Sequence, residues 1–223
     1  MSQKSQTLQK EYVLRFSHIR RYRQQVWKIL CSDYFSRHIS PNSTVLDLGC
    51  GWGEFINNIN VAKKYAMDLN PDSKAHLSPE VVFLQQDCSD IWDMPNESLD
   101  VVFSSNFLEH LPDKSSIERT IAESNRCLRN DGRIILLGPN IKYINGAYWD
   151  FWDHFIPLTE QSISEVLNLQ GFEIITKLPR FLPYSMSTGY TPPLVFLRLY
   201  LRLPWIWPVF GKQFLVIAQK RYS

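Results

Sequence analysis

Val45-Leu46-Asp47-Leu48-Gly49-Cys50-Gly51-Trp52-Gly53-Glu54-Phe55 decides how this chain of 223 residues is read. An apolar run holding one acid ends, and three glycines follow at alternate positions. That pattern predicts a buried strand turning sharply into a helix that begins near Gly53, with bare backbone at the turn. Bare backbone lets a ligand lie directly on the main chain. A second acid, Asp68, closes the next apolar run, Tyr65-Ala66-Met67, 21 residues after Asp47. Paired in this way, the loop and the acid point to a cofactor that contains a nucleoside.

Outward from this turn, strand and helix signals alternate. Strands are predicted at Thr44–Leu48, Lys64–Leu69, Val81–Gln86, Leu99–Ser104, Arg133–Leu137, Phe172–Thr176 and Gln213–Gln219. Helices are predicted at 10–38 (one or a pair), from Gly53 to Asn60, after Asn70-Pro71-Asp72, at Ser115–Leu128 and at Thr159–Leu169. Thr159 reads as the N-cap of the last, Gly171 as its stop, and Asn130-Asp131-Gly132 as a tight turn before the fifth strand. Such alternation implies an α/β fold, a mostly parallel sheet with helices on both faces. Two stretches interrupt it: 140–158 is rich in aromatics, and 178–212 carries six prolines. Both follow carboxyl ends of strands, where open α/β sheets bind ligands, and read as covers on the substrate side. The expected organisation is one domain over 1–223: a helical cap at 1–40, a cofactor-binding core at 41–177, an insertion at 178–212 and a last strand at 213–223.

Charge is divided unevenly. Residues 1–38 carry a net +6, residues 39–173 a net −11, and residues 174–223 a net +7 with no acid at all. Basic ends around an acidic centre favour an anionic partner if both ends fold over one site. The four cysteines, Cys31, Cys50, Cys88 and Cys127, are scattered and form no CxxC pair, which suits a reducing cytoplasm and argues against a disulfide framework or a zinc site. The polar start, MSQKSQTLQKEY, has no secretory core.

Asp87-Cys88 ends the third apolar run, so three successive strands close on an acid. Ordered in this way, the chain resembles the class I S-adenosylmethionine-dependent methyltransferases. VLDLGCGWG resembles their first motif, Leu99 to Asn106 their fourth, Leu128 to Arg133 the lead into strand five, and Leu167 to Phe172 a late L-x-x-x-G-F element. The resemblance spans roughly 40–176. It implies a seven-stranded sheet with the last strand antiparallel and S-adenosylmethionine as cofactor. It also implies binding roles for Asp47, Gly49, Cys50, Gly51, Asp68 with Leu69 (ribose), Asp87 with Cys88 (adenine), and Asn106 with Phe107 (near the sulfonium). The loop lacks the G-x-G-x-x-G of dinucleotide dehydrogenases and any basic residue for a pyrophosphate, which separates it from a nicotinamide-dependent oxidoreductase. A non-catalytic binding or scaffold protein on the same fold is the other alternative.

Phe107-Leu108-Glu109-His110-Leu111 resembles the L-E-H element of small-molecule methyltransferases. Related ubiquinone-pathway enzymes carry an extra acid near position 106, associated with a metal; Asn106 stands there, so no metal is expected. His110 and His154 are the candidate bases, neutral imidazole being suited to proton transfer near pH 7. His154 lies in the aromatic run Tyr148–Thr159, with Asp150 or Asp153 as its expected partner; a packed lid in which His154 only braces the next helix is the competing reading. The expected reaction is methyl transfer to an oxygen of a small metabolite, sugar or carrier- or lipid-linked intermediate. No nucleic-acid partner is expected: there is no N-P-P-Y motif and no basic stripe interleaved with aromatics. Residues 192–208 place Arg198 and Arg202 among leucines and tryptophans. They are too few and too charged to span a bilayer, and suit a membrane surface, a partner subunit or the protein's own body.

Overall fold

Burial of the short apolar runs is what builds the sheet. The computed structural model describes residues 17–184 and 191–221. Seven strands are ordered β3-β2-β1-β4-β5-β7-β6: β1 Thr44–Leu48, β2 Lys63–Met67, β3 Val81–Leu84, β4 Leu99–Ser105, β5 Leu128–Pro139, β6 Phe172–Leu182 and β7 Gln213–Lys220. The last strand in the chain runs antiparallel to both neighbours, β5 and β6. The pairs β1–β2, β2–β3 and β4–β5 are parallel. This is the expected α/β sheet, and it explains why β1, β4 and β5 read as nearly continuous apolar runs: parallel strands are covered on both faces.

Two compact units divide the described residues, 17–87 with 191–204 and 88–184 with 205–221. In the first, β1, β2 and β3 are joined by helix α1, Arg20–Asp33, whose Val26, Trp27, Ile29 and Leu30 are buried. Trp27 meets Phe35 and Phe55 ring to ring at 6.3 and 6.1 Å. The second unit holds helix α2, Lys114–Cys127, capped by Asp113, whose side chain accepts from the N–H of Ser116. It also holds the short α3, Ile141–Ile144, and α4, Glu160–Leu169. Helix α5, Leu194–Arg202, belongs to the first unit, and the short α6, Trp207–Phe210, to the second. The start of the helix expected at 10–38 lies outside the described residues.

Three expectations are corrected. No helix follows β1; residues 51–58 form consecutive turns. The asparagines explain this: the Asn58 side-chain amide donates to Glu54 O at 2.8 Å, competing for the carbonyl that a helix would give to the Asn58 N–H, which instead donates to Phe55 O. Asn57 turns its side chain outward from the local backbone to His76 O and the Ser78 N–H. The tight turn at Asn130-Asp131-Gly132 does not precede the fifth strand but lies inside it: β5 spends five residues, from Leu128 to Arg133, where β4 spends two. Asp131 sits there at φ 64° and accepts from the Gln219 side chain. Lastly, residues 178–182 are not part of a cover. They continue β6, which pairs with β7 as far as Leu182 and Gln213.

Candidate functional site

In the first unit, β1 delivers its chain to Gly49, whose N–H donates to Met67 O at 2.9 Å; the Cys50 N–H donates to the same carbonyl. Gly49, Gly51 and Gly53 all have positive φ, 71°, 53° and 71°. Left-handed backbone at three alternate positions is what demands glycine here. At Gly53 space adds a second reason, because a Cβ would stand 2.5 Å from Leu77 Cδ2. The carboxylate of Asp68 ties the turn together: it accepts from the Gly51 N–H at 2.9 Å and from the Asn70 N–H at 2.8 Å. Each oxygen keeps a second lone pair for a ligand hydroxyl.

Acid dominates this turn. Asp47 is buried, and its Oδ2 has no hydrogen-bond partner among the described residues. Burial first, then the charges of Glu54 and Asp68, push its carboxyl well above the ordinary carboxylate range, against a hydrogen bond from the Ile56 backbone. Burial also raises Asp68, opposed by the N–H groups of Asn70, Gly51 and Leu69. Two of the basic side chains nearby are engaged: Arg23 Nε holds Glu54 at 2.8 Å, and Arg20 bonds His76 Nδ1 at 2.9 Å while lying over the Trp52 ring. A partnerless buried carboxyl oxygen beside the glycine turn fits a ligand bearing positive charge and hydroxyls. Cys50 is no nucleophile, because burial and the surrounding acids raise its thiol far above neutrality. Asp87 is half-buried just beyond β3, at the end of this unit.

The second unit carries the two candidate bases, His110 and His154. Cys88 is buried there, its carbonyl accepting from Trp92 Nε1 at 2.8 Å. Beyond β4, Asn106 sits at φ 49°, a left-handed conformation that asparagine tolerates better than most side chains. Its N–H donates to Leu137 O at 2.8 Å, and its Oδ1 is buried with no partner among the described residues. Phe107 follows half-buried, and Leu108–His110 forms one 3-10 turn. The aromatic segment is pinned to this turn, because the Phe155 and Ile156 N–H groups both donate to Glu109 O.

That clamp brings distant residues together. His110 Nδ1 lies 3.2 Å from Asp153 Oδ2 and 2.9 Å from Asp153 O. Asp153 thus serves His110, where the sequence suggested His154. Burial opposes protonation of His110, but the hydrogen bond and charge of Asp153 and the charge of Glu109 outweigh it and raise the imidazole. His154 is buried among rings, with His110 at 4.8 Å, Tyr148 at 4.7 Å and Phe151 stacked at 5.0 Å between centroids. Glu109, 1% exposed, has a partnerless Oε1 among the described residues, and burial pushes it up to about 7. Sequence reasoning did not single out Glu109. The pattern L-E-H was visible, but its burial was not.

Glu109, His110 and His154 offer ligand atoms within 4.8 Å of one another. Ligands around one small ion stand closer, about 3–4 Å apart for bonds of 2.0–2.2 Å, so the trio must contract to hold a metal. As arranged, it suits proton traffic better: a carboxylate-braced imidazole, a second imidazole and an acid that titrates near neutrality. Trp149, Trp152 and Phe155 stand exposed on the same segment.

Comparison with known proteins agrees with this geometry. A family described as "Methyltransferase domain" matches residues 19–177. A structure of an S-adenosylmethionine-dependent methyltransferase from Archaeoglobus fulgidus is similar at 20% identity and a TM-score of 0.64, over 86% of this chain and 94% of that one. A Haloferax volcanii methyltransferase solved with an activator protein is similar at 14% identity and a TM-score of 0.64, over 87% and 90% of the two chains. The cyclase SpnF is similar at 19% identity and a TM-score of 0.62, over 88% and 81%. Likeness at these identities speaks for the fold. No curated protein matches the chain.

Proposed function

The chain belongs to the methyltransferase domain family, as a class I S-adenosylmethionine-dependent enzyme, and from that premise we propose that it methylates an oxygen of a small, anionic acceptor. The observation that carries this reading is the pairing of His110 with Asp153. A hydroxyl acceptor must lose a proton as it attacks, and a carboxylate-braced imidazole is built to take one.

Bound S-adenosylmethionine supplies an activated methyl group on a good leaving group, so alignment and proton removal are what remain for the protein. Gly49, Cys50 and Gly51 would hold the methionine part along their backbone, with Asp47 as the buried counter-charge. Asp68, with Leu69, would accept the ribose hydroxyls on its remaining lone pairs, and Asp87 with Cys88 would flank the adenine. Asn106 and Phe107 would lie near the sulfonium; the left-handed backbone at Asn106 supports a functional role, since strain of this kind collects at such sites. Asp153 would keep the Nδ1 proton of His110, leaving Nε2 to receive the acceptor's proton. His154 would pass charge on or hold His110 in place. The basic termini support a phosphate- or carboxylate-bearing acceptor, a sugar or carrier-linked intermediate among them, and the four buried cysteines, none of them in a disulfide, support a cytoplasmic setting.

The test measures S-adenosylhomocysteine release with a panel of anionic hydroxyl acceptors. His110 must be neutral to act, so kcat should rise with pH through its raised pKa and level off above it. Asp153→Asn should move that rising limb to lower pH and cut the plateau about tenfold or more, while calorimetry finds cofactor affinity unchanged. An unmoved limb removes His110 as the base.

A further inference from the structure

Helix α5 presents its apolar side to solvent. Val195, Phe196 and Leu199 are 57%, 59% and 48% exposed, whereas Tyr200 and Leu201 on the other side are buried. At 100° per residue, Val195, Phe196 and Leu199 fall on one stripe, and Arg198 and Arg202, one turn apart, flank it. Both arginines are exposed. The opposite side packs on α1; just ahead of the helix the Tyr22 hydroxyl donates to Pro192 O at 2.7 Å, and at the edge of the stripe Arg198 lies 3.9 Å from Asp33. A helix that only filled the core would turn this stripe inward. Here the core side is already satisfied by Tyr200 and Leu201, and a second apolar stripe is left outside.

We propose that α5 is a docking surface for an anionic lipid bilayer, lying in the plane of the interface. The chemistry of the rim selects this partner. Helix α5 carries two exposed arginines, Arg198 and Arg202, and no acid. An apolar stripe with a basic flank lowers its side chains into the acyl boundary while arginines meet lipid phosphates. A second copy of the chain would suit the stripe but not the rim. Symmetric pairing would bring Arg202 against its own copy with no carboxylate on α5 to neutralise it, while Arg198 already has Asp33 of its own chain at 3.9 Å. Nine residues are about 14 Å of helix, and no described helix is long and apolar enough to cross a membrane. The surface is therefore one for lying on a bilayer. The inference does not depend on the methyl-transfer reading.

The experiment floats the full chain with phosphatidylcholine vesicles and with mixed phosphatidylcholine–phosphatidylglycerol vesicles. Binding should be confined to the mixed vesicles and fall with added salt. Phe196→Glu with Leu199→Glu should abolish it, and Arg198→Gln with Arg202→Gln should weaken it roughly tenfold or more. Both variants should bind S-adenosylmethionine as the parent chain does, which separates this outcome from loss of folding or of cofactor binding. No binding to mixed vesicles, equal binding to both kinds, or binding untouched by Phe196→Glu with Leu199→Glu overturns the proposal. So does light scattering that finds a dimer in the parent chain and a monomer in that variant, which would make α5 a self-interface.

Discussion

Asp68 is the side chain on which the glycine turn hangs. Both its oxygens are occupied by main-chain N–H groups before any ligand arrives, at 2.9 Å from Gly51 and 2.8 Å from Asn70. It therefore holds the turn open and keeps acceptor capacity for a diol. Asp68→Ala should weaken S-adenosylmethionine binding by about 1–3 kcal/mol, the range for lost charge-assisted hydrogen bonds. Calorimetric titration measures this, and an unchanged dissociation constant would remove Asp68 from the site. Asp47 and Glu109 share a different property: each is a buried acid with an oxygen that no described residue satisfies. Groups of this kind are costly in a packed interior and are retained where a ligand or a proton completes them.

Among the elements, α4 shows the local rules most plainly. Thr159 accepts from the Ser162 N–H at 3.1 Å, and the Ser162 hydroxyl accepts from the Thr159 N–H at 3.0 Å, a reciprocal cap. Gly171, at φ 83°, follows the last turn. Thr159→Ala should lower stability by about 1 kcal/mol, read as a reduced midpoint in denaturant unfolding with an unchanged slope. The turn after β1 obeys a stronger local rule than its apolar residues suggest. Phe55, Ile56 and Ile59 are buried as a helix face would be. Three left-handed glycines and the asparagine side chains nevertheless keep residues 51–58 in turns. The glycine turn thus leads into a chain of turns, with no helix dipole behind it.

For the whole molecule, buried acids link stability to pH. Glu109 rises from its ordinary 4.5 to about 7, so the folded state holds the proton more tightly than the unfolded chain. The stability this confers is complete below pH 4.5 and is lost as pH rises through about 7. Asp47 and His110, both raised, act in the same sense. Glu109→Gln stays neutral at every pH, so its advantage over the parent chain should grow by about 1–3 kcal/mol between pH 4.5 and 8. Urea unfolding at the two pH values measures this, and an advantage that shrinks with pH would mean Glu109 is ionised in the fold.

Local grammar was enough to find the seven strands and the cap at Thr159. It also located the glycine turn and the acid that closes β2. Each depends on side-chain period, turn chemistry or backbone freedom within a few residues. The sequence by itself thus determined the α/β sheet and a nucleoside-containing cofactor, which the resemblance carried by its ordered motifs narrowed to S-adenosylmethionine. What only the tertiary structure decided is everything that depends on residues far apart in the chain. Asp153 lies on His110, 43 positions away, because Glu109 O clamps the aromatic segment through Phe155 and Ile156. Burial of Glu109 and outward exposure of the α5 stripe likewise depend on what packs against each element. Periodicity reveals that a helix has an apolar face, but only packing determines whether that face is covered.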